Sequence, residues 1–178
     1  MPPNYYSRFD PAKNYDEHLF IGGRQLQSAE MNEVQKQSAY SLQSLADALF
    51  LDGDVVRGAG ISVNTSTGAV TLDSGAVYLR GRVRNVAGAT LTGVEMTGAV
   101  GVGIRLVEAV ITAMEDPALS DPAVGEDAYG QRGAERLRVV PTWGTGDDTD
   151  ANFYQVYGLT DGLVDHKEPP LYQIGRAS

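Results

Sequence analysis

Five carboxylates, Glu115, Asp116, Asp121, Glu126 and Asp127, crowd into one stretch rich in Pro and Gly. Two carboxylates held at a fixed separation are what acid–base cleavage of a glycosidic bond requires. The spacing here fixes no separation, and the stretch lacks the aromatic platform usual around sugars. A glycan-binding or glycan-cleaving host-recognition module using residues 115–127 is therefore kept as the alternative reading. Gly146 to Asn152 (GDDTDAN) offers hard oxygens suited to calcium but lacks the central Gly and distal Glu of a calcium loop, so it reads as a solvated turn. The only histidines, His18 and His166, lie in polar stretches away from any nucleophile pattern. Gly101-Val102-Gly103 opens like a dinucleotide loop, but no third glycine follows and the segment alternates like a strand; Gly58-Ala59-Gly60 does no better. These residues point to a chain that is not an enzyme and that uses no cofactor and no metal.

What remains is contact chemistry. An aromatic arm carries Tyr5, Tyr6, Phe9, Tyr15 and Phe20 among prolines, with no period of 2 or 3.6, and runs directly into a helical pattern. Tyr and Phe supply large contact areas at modest entropic cost, so such an arm is expected to dock on its own domain, a sister subunit or a partner. In the helix Met31, Val34, Ser38, Leu42, Leu45 and Leu49 step by three or four into one stripe. The candidate partner-binding residues are Tyr5, Tyr6, Arg8 and Phe9 on the arm and Met31, Val34 and Ser38 on the stripe.

The helix is expected from Ala29 to Leu51, with Ser28 as its cap, Glu30 favouring the positive end of the dipole, and Asp52-Gly53-Asp54 as its stop. Its first half is polar off the stripe and should project, whereas the second half, with Ala46, Ala48 and Phe50, should pack on a sheet. After Gly53 the period becomes two. A hairpin is expected from Ile61/Val63 and Val70/Leu72 around the turn 64–68, followed by strands at 76–80, 82–86, 100–106, 136–141 and 153–159. Gly101 and Gly103 opposite bulky residues suggest close approach of a second layer or a neighbouring subunit. The expected class is α+β, with an extended N-terminal arm (1–22), one long helix (23–53), an antiparallel β-sandwich-like or barrel-like domain (54–164) and an exit linker (165–178).

The 178 residues, 42% hydrophobic, can bury a sizeable core, and with no cysteine no disulfide is available. A net charge of -9 repels phosphate backbones, so nucleic acid is not an expected partner; Arg80, Arg82 and Arg84, alternating along a strand, read as a solvated or interface face. No leader pattern and no apolar stretch long enough to span a bilayer is present, which implies synthesis in the cytoplasm and no membrane partner.

Three stretches, Tyr5-Tyr6-Ser7-Arg8-Phe9-Asp10-Pro11, Gly23 to Gln35 (GRQLQSAEMNEVQ) and Asp116 to Ala123 (DPALSDPA), together with Gly133 to Leu137 and Trp143, resemble a family of amino-terminal domains on bacteriophage tail and baseplate proteins, a domain otherwise described only as of unknown function. The resemblance covers the chain from Tyr5 to about residue 170. It implies a virion structural part that fixes a tail fibre or related appendage to the baseplate, a homotrimer whose partners are baseplate or other tail proteins, located in the virion and made in the host cytoplasm. Family members usually continue into longer fibre or wedge sequences, whereas this sequence stops at Ser178. Two Asp-Pro steps, Asp116-Pro117 and Asp121-Pro122, stiffen the loop in a way that suits a fixed interface.

Overall fold

Gly23 takes a left-handed conformation and reverses the arm into a helix, α1, which runs from Ser28 to Asp47 in the computed structural model, whose described residues are 5–146 and 152–165. The cap is Gln27, one residue earlier than Ser28, and the Glu30 carboxylate accepts a hydrogen bond from the Gln27 N–H at 2.8 Å. The helix ends four residues short of Leu51, because Ala48 and Leu49 turn the chain toward the β-domain. There Asp52, Gly53 and Asp54 do more than stop a helix. Gly53 N–H donates to the Tyr78 carbonyl, Tyr78 N–H donates to that of Asp54, and the Asp52 side chain accepts from Arg80 N–H.

Three short strands, β1 (Val55–Gly58), β2 (Ile61–Asn64) and β3 (Ala69–Leu72), precede β4 (Gly75–Leu79), β5 (Arg82–Val86) and β6 (Ala89–Leu91). They form two three-stranded antiparallel sheets, ordered β1-β4-β5 and β2-β3-β6. The pairing is continuous from one to the other: Gly58 faces Gly75 and Ile61 faces Leu72, with Ala59 N–H to Ser74 O and Asp73 N–H to Gly60 O between them. The six strands are thus one three-stranded meander folded across a corner. Ala59 makes the corner at φ +55 while fully buried, and Tyr157 donates its hydroxyl to the Ala59 carbonyl at 2.8 Å. Gly75 is required there, since a Cβ would lie 2.1 Å from the Ala59 nitrogen.

The second layer is a four-stranded antiparallel sheet of β7 (Ala99–Ile111), β8 (Arg136–Gly146), β9 (Phe153–Thr160) and β10 (Leu163–Val164), in the order β10-β9-β7-β8. β8 lies against β5 and β6, which curls the layers into a half-barrel. Val70, Leu72, Val77 and Leu79 from the meander meet Val102, Ile104, Trp143 and Val156 in the core. The chain is α+β with one long helix and an antiparallel, barrel-like β-domain, as expected. Among the described residues no helix is long and apolar enough to cross a membrane.

Two expectations are corrected. Gly101 and Gly103 do not face a second layer: a Cβ on Gly103 would lie 2.1 Å from the Tyr154 carbonyl of β9, where the β7–β9 register slips by one residue. The three arginines do not share a solvated face. Arg80 sits at φ +50 in a two-residue turn with Gly81 and pairs with Glu108, while Arg84 is half-buried, with Nε donating to the Leu79 carbonyl. Burial, then Arg82 and Arg80, push its pKa down.

Gly75→Ala is expected to lower unfolding stability by about 1–3 kcal/mol through overpacking at the corner. Gly22→Ala, with open space around its Cβ position, should be neutral. Urea denaturation of both variants checks the contrast.

Candidate functional site

The site is the arm laid along α1, and its centre is Glu33. Glu33 belongs to the polar part of the sequence pattern, yet it is the one buried residue of the helix, 8% exposed. Its Oε1 accepts from both the backbone N–H and the Nε of Arg8 at 2.7 Å, and His18 Nε2 lies 3.4 Å from Oε2. Arg8 and His18 lie ten positions apart in the arm, so the arm forms a loop with both legs on one carboxylate. Asp10 caps the short turn Pro11–Lys13 and Asn14 follows at φ 52, which makes the reversal.

Further contacts extend the seat along the same side of the helix. Asn32 donates to the Tyr6 carbonyl at 3.0 Å, and Gln37 donates to those of Tyr15 and Asp16. The Phe9 and Tyr40 rings meet with centroids 5.7 Å apart. Between arm and helix lies a cleft of about 620 Å³, lined by charged and polar groups around Glu33. Of the arm residues picked from sequence, Arg8 and Phe9 contact the chain's own helix, Tyr5 is half-buried and Tyr6 is exposed.

The stripe lies on the other side. At about 100° per residue, Glu33, Gln37 and Tyr40 point roughly opposite to Met31, Ser38, Leu42 and Leu45. The stripe is bare: Leu42 and Leu45 are each 68% exposed, Met31 and Leu49 are exposed, and Val34 is half-buried. The expected division of the helix is therefore reversed, because the arm covers its first half and the leucines of its second half face outward. What attaches the helix to the β-domain is its end. Tyr78 donates its hydroxyl to Asp47 at 2.5 Å, and Phe50 stacks on the Tyr78 ring at 5.3 Å. Burial and the Asp47 hydrogen bond push the Tyr78 hydroxyl pKa upward.

The carboxylates of 115–127 mostly hold their own turns. Glu115 accepts from Thr112, Asp116 from Ala118 N–H at 3.1 Å and Asp121 from Ala123 N–H at 2.8 Å. Among the described residues no three His, Asp or Glu side chains come together as a metal site. Residues 147–151 of the acidic turn, His166 and all but the first residue of the exit linker lie outside the described residues.

A family model described as a domain of unknown function, DUF4815, matches residues 4–174, which takes in the arm, the helix and every strand. The chain belongs to that family. No curated protein and no solved structure matches it.

Sequence reasoning missed Glu33 because a charged residue off the stripe reads as solvated. The signal was the arm's own Arg8 and His18, which need a carboxylate when they dock. The Arg8 hydrogen bonds hold the Glu33 carboxyl below its ordinary 4.5 against the opposing effect of burial, with His18 adding a little. A carboxylate with a depressed folded-state pKa stabilises docking above its unfolded value, and that contribution is lost as pH falls through the folded value. Protection of residues 5–21 against hydrogen exchange is therefore expected to fall as the pH drops below 4.5. Glu33→Gln should show low protection throughout, without that acid step.

Proposed function

We propose that the chain is a structural part of a bacteriophage virion, fixing a tail fibre or related appendage to the baseplate, and that it assembles as a homotrimer through α1. The observation that carries this reading is the exposed stripe of Met31, Leu42 and Leu45 on a helix whose opposite face is already occupied by the arm. Exposed leucines in register on one face are more than the scattered apolar residues of a monomer surface. Over about 21 Å from Met31 to Leu45 at 1.5 Å per residue, they make a strip of the length a helix–helix seam uses. Parallel association of copies would bring the strips together around an axis and leave each arm outward for a baseplate protein. Met31, Val34 and Ser38 continue the seam toward the helix start, and Tyr5 and Tyr6 are the arm residues placed for an outside partner.

The assignment to a phage tail rests on the resemblance carried by the arm, the helix start and the Asp-Pro loop. That loop also suits a fixed contact, since Asp116 and Asp121 cap its turns and Asp121 N–H bonds to the Gln131 carbonyl at 2.9 Å.

A chain lacking residues 1–22 is expected to fold its β-domain and to be absent from tailed particles assembled in its presence, as read by peptide mass spectrometry. The full chain should appear there at a multiple of three copies. Normal incorporation of the truncated chain, or absence of the full chain from particles, would overturn the reading.

A further inference from the structure

β9 accompanies β7 only from Ala99 to Arg105, while β8 accompanies β7 out to Ile111. Beyond Leu106 the sheet therefore continues as a two-stranded ribbon, and the outer edge of that part of β7 is in no ladder among the described residues. Two strands alone are marginal in water, and burying one face of such a ribbon is what makes it stable. Cross-strand partners share a face, and Val107 with Val140, Ala109 with Arg138, and Ile111 with Arg136 make up the face away from the core residue Leu106. Val107 and Val140 are exposed on it. Among the described residues neither Arg136 nor Arg138 is in an ion pair. The result is an apolar centre flanked by two arginines at alternate positions of one strand, Arg136 donating to the Ala134 and Glu135 carbonyls and Arg138 beside the valine pair.

Its complement is present in the same chain. The second leg of the arm presents Asp16 and Glu17, followed by exposed Leu19, Phe20 and Ile21, while its backbone is held to α1 by Gln37. Two acids and, past His18, three apolar side chains match two arginines beside a valine pair in charge and in apolar character. In a chain of net charge -9, a cationic apolar face favours an acidic apolar segment over any nucleic acid or cationic partner.

We propose that the arm segment Asp16–Ile21 of one copy docks in extended form on the β7–β8 ribbon of the next, with Glu17 paired to Arg138 and with Leu19 and Ile21, on the side away from His18 and its contacts with Glu33 and Phe20, on the Val107/Val140 pair. This is a head-to-tail contact, which closes into a ring when the rotation between copies allows it. It uses neither the helix stripe nor any tail protein, so its test is independent of the assignment to a phage tail.

The chain contains no cysteine, which makes single-cysteine variants unambiguous. Glu17→Cys and Arg138→Cys chains, purified and mixed under mild oxidation, are expected to give a covalent dimer well above the amount formed by either variant alone. In sedimentation, Arg136→Glu with Arg138→Glu should weaken self-association about tenfold, as should Asp16→Arg with Glu17→Arg, and the combined charge swap should restore it to within about threefold. All four positions are exposed, and circular dichroism checks that each variant folds. No excess of mixed dimer, or a combined swap no better than its parents, would overturn the proposal and leave the ribbon face to some other partner.

Discussion

A carboxylate placed on the covered side of a helix must be given partners, and Glu33 receives them from two places in the arm. Arg8 supplies backbone and side-chain donors, and His18 approaches the second oxygen. Much else follows from this arrangement. The arm becomes a closed loop on one side of α1, the helix has its polar face satisfied within the chain, and among the described residues Leu42 and Leu45 of the apolar stripe stay exposed. An arm seated elsewhere would free both sides of the helix.

The arm–helix unit needs a fixed relation to the β-domain, and Tyr78 provides it. The residue is almost completely buried on β4, yet its hydroxyl reaches Asp47, its ring receives Phe50 and its backbone bonds to Gly53 and Asp54. β4 in turn is the middle strand of its sheet and runs directly into the corner where Gly75 meets Ala59. The joint therefore rests on the part of the fold with the least room to move.

Period and turn chemistry made most of the β-domain legible. The hairpin around 64–68 and the later strands fall where alternation places them, because one face of each is buried. What was not legible depends on contacts distant in sequence. Val55–Gly58 and Ala89–Leu91 are too short to show a period, and they are strands only because the meander folds at Ala59 and pairs on both sides of the corner. β8 continues through Trp143 to Gly146, past the expected end at Pro141, because the long β7 offers partners that far. The helix was visible in its stripe, but apolarity does not say what covers it: the sheet was expected to take the second half, whereas the contact is made by Asp47 and Phe50 at its end. The arm's aromatics point to Phe9 and Tyr6, while the arm is also held by the Arg8–Glu33 ion pair with His18 beside it.

The central claim is that α1 has two faces with different duties, one closed by the arm within the chain and one closed by other copies of the chain. Sedimentation equilibrium of the wild type beside Leu45→Glu, a residue that touches neither the arm nor the Tyr78 joint, tests it most directly. The account predicts a concentration-dependent trimer for the wild type and a large loss of association for the variant, with hydrogen-exchange protection of residues 5–21 unchanged. An unchanged mass for Leu45→Glu, or a wild type that remains monomeric at every concentration, would contradict it.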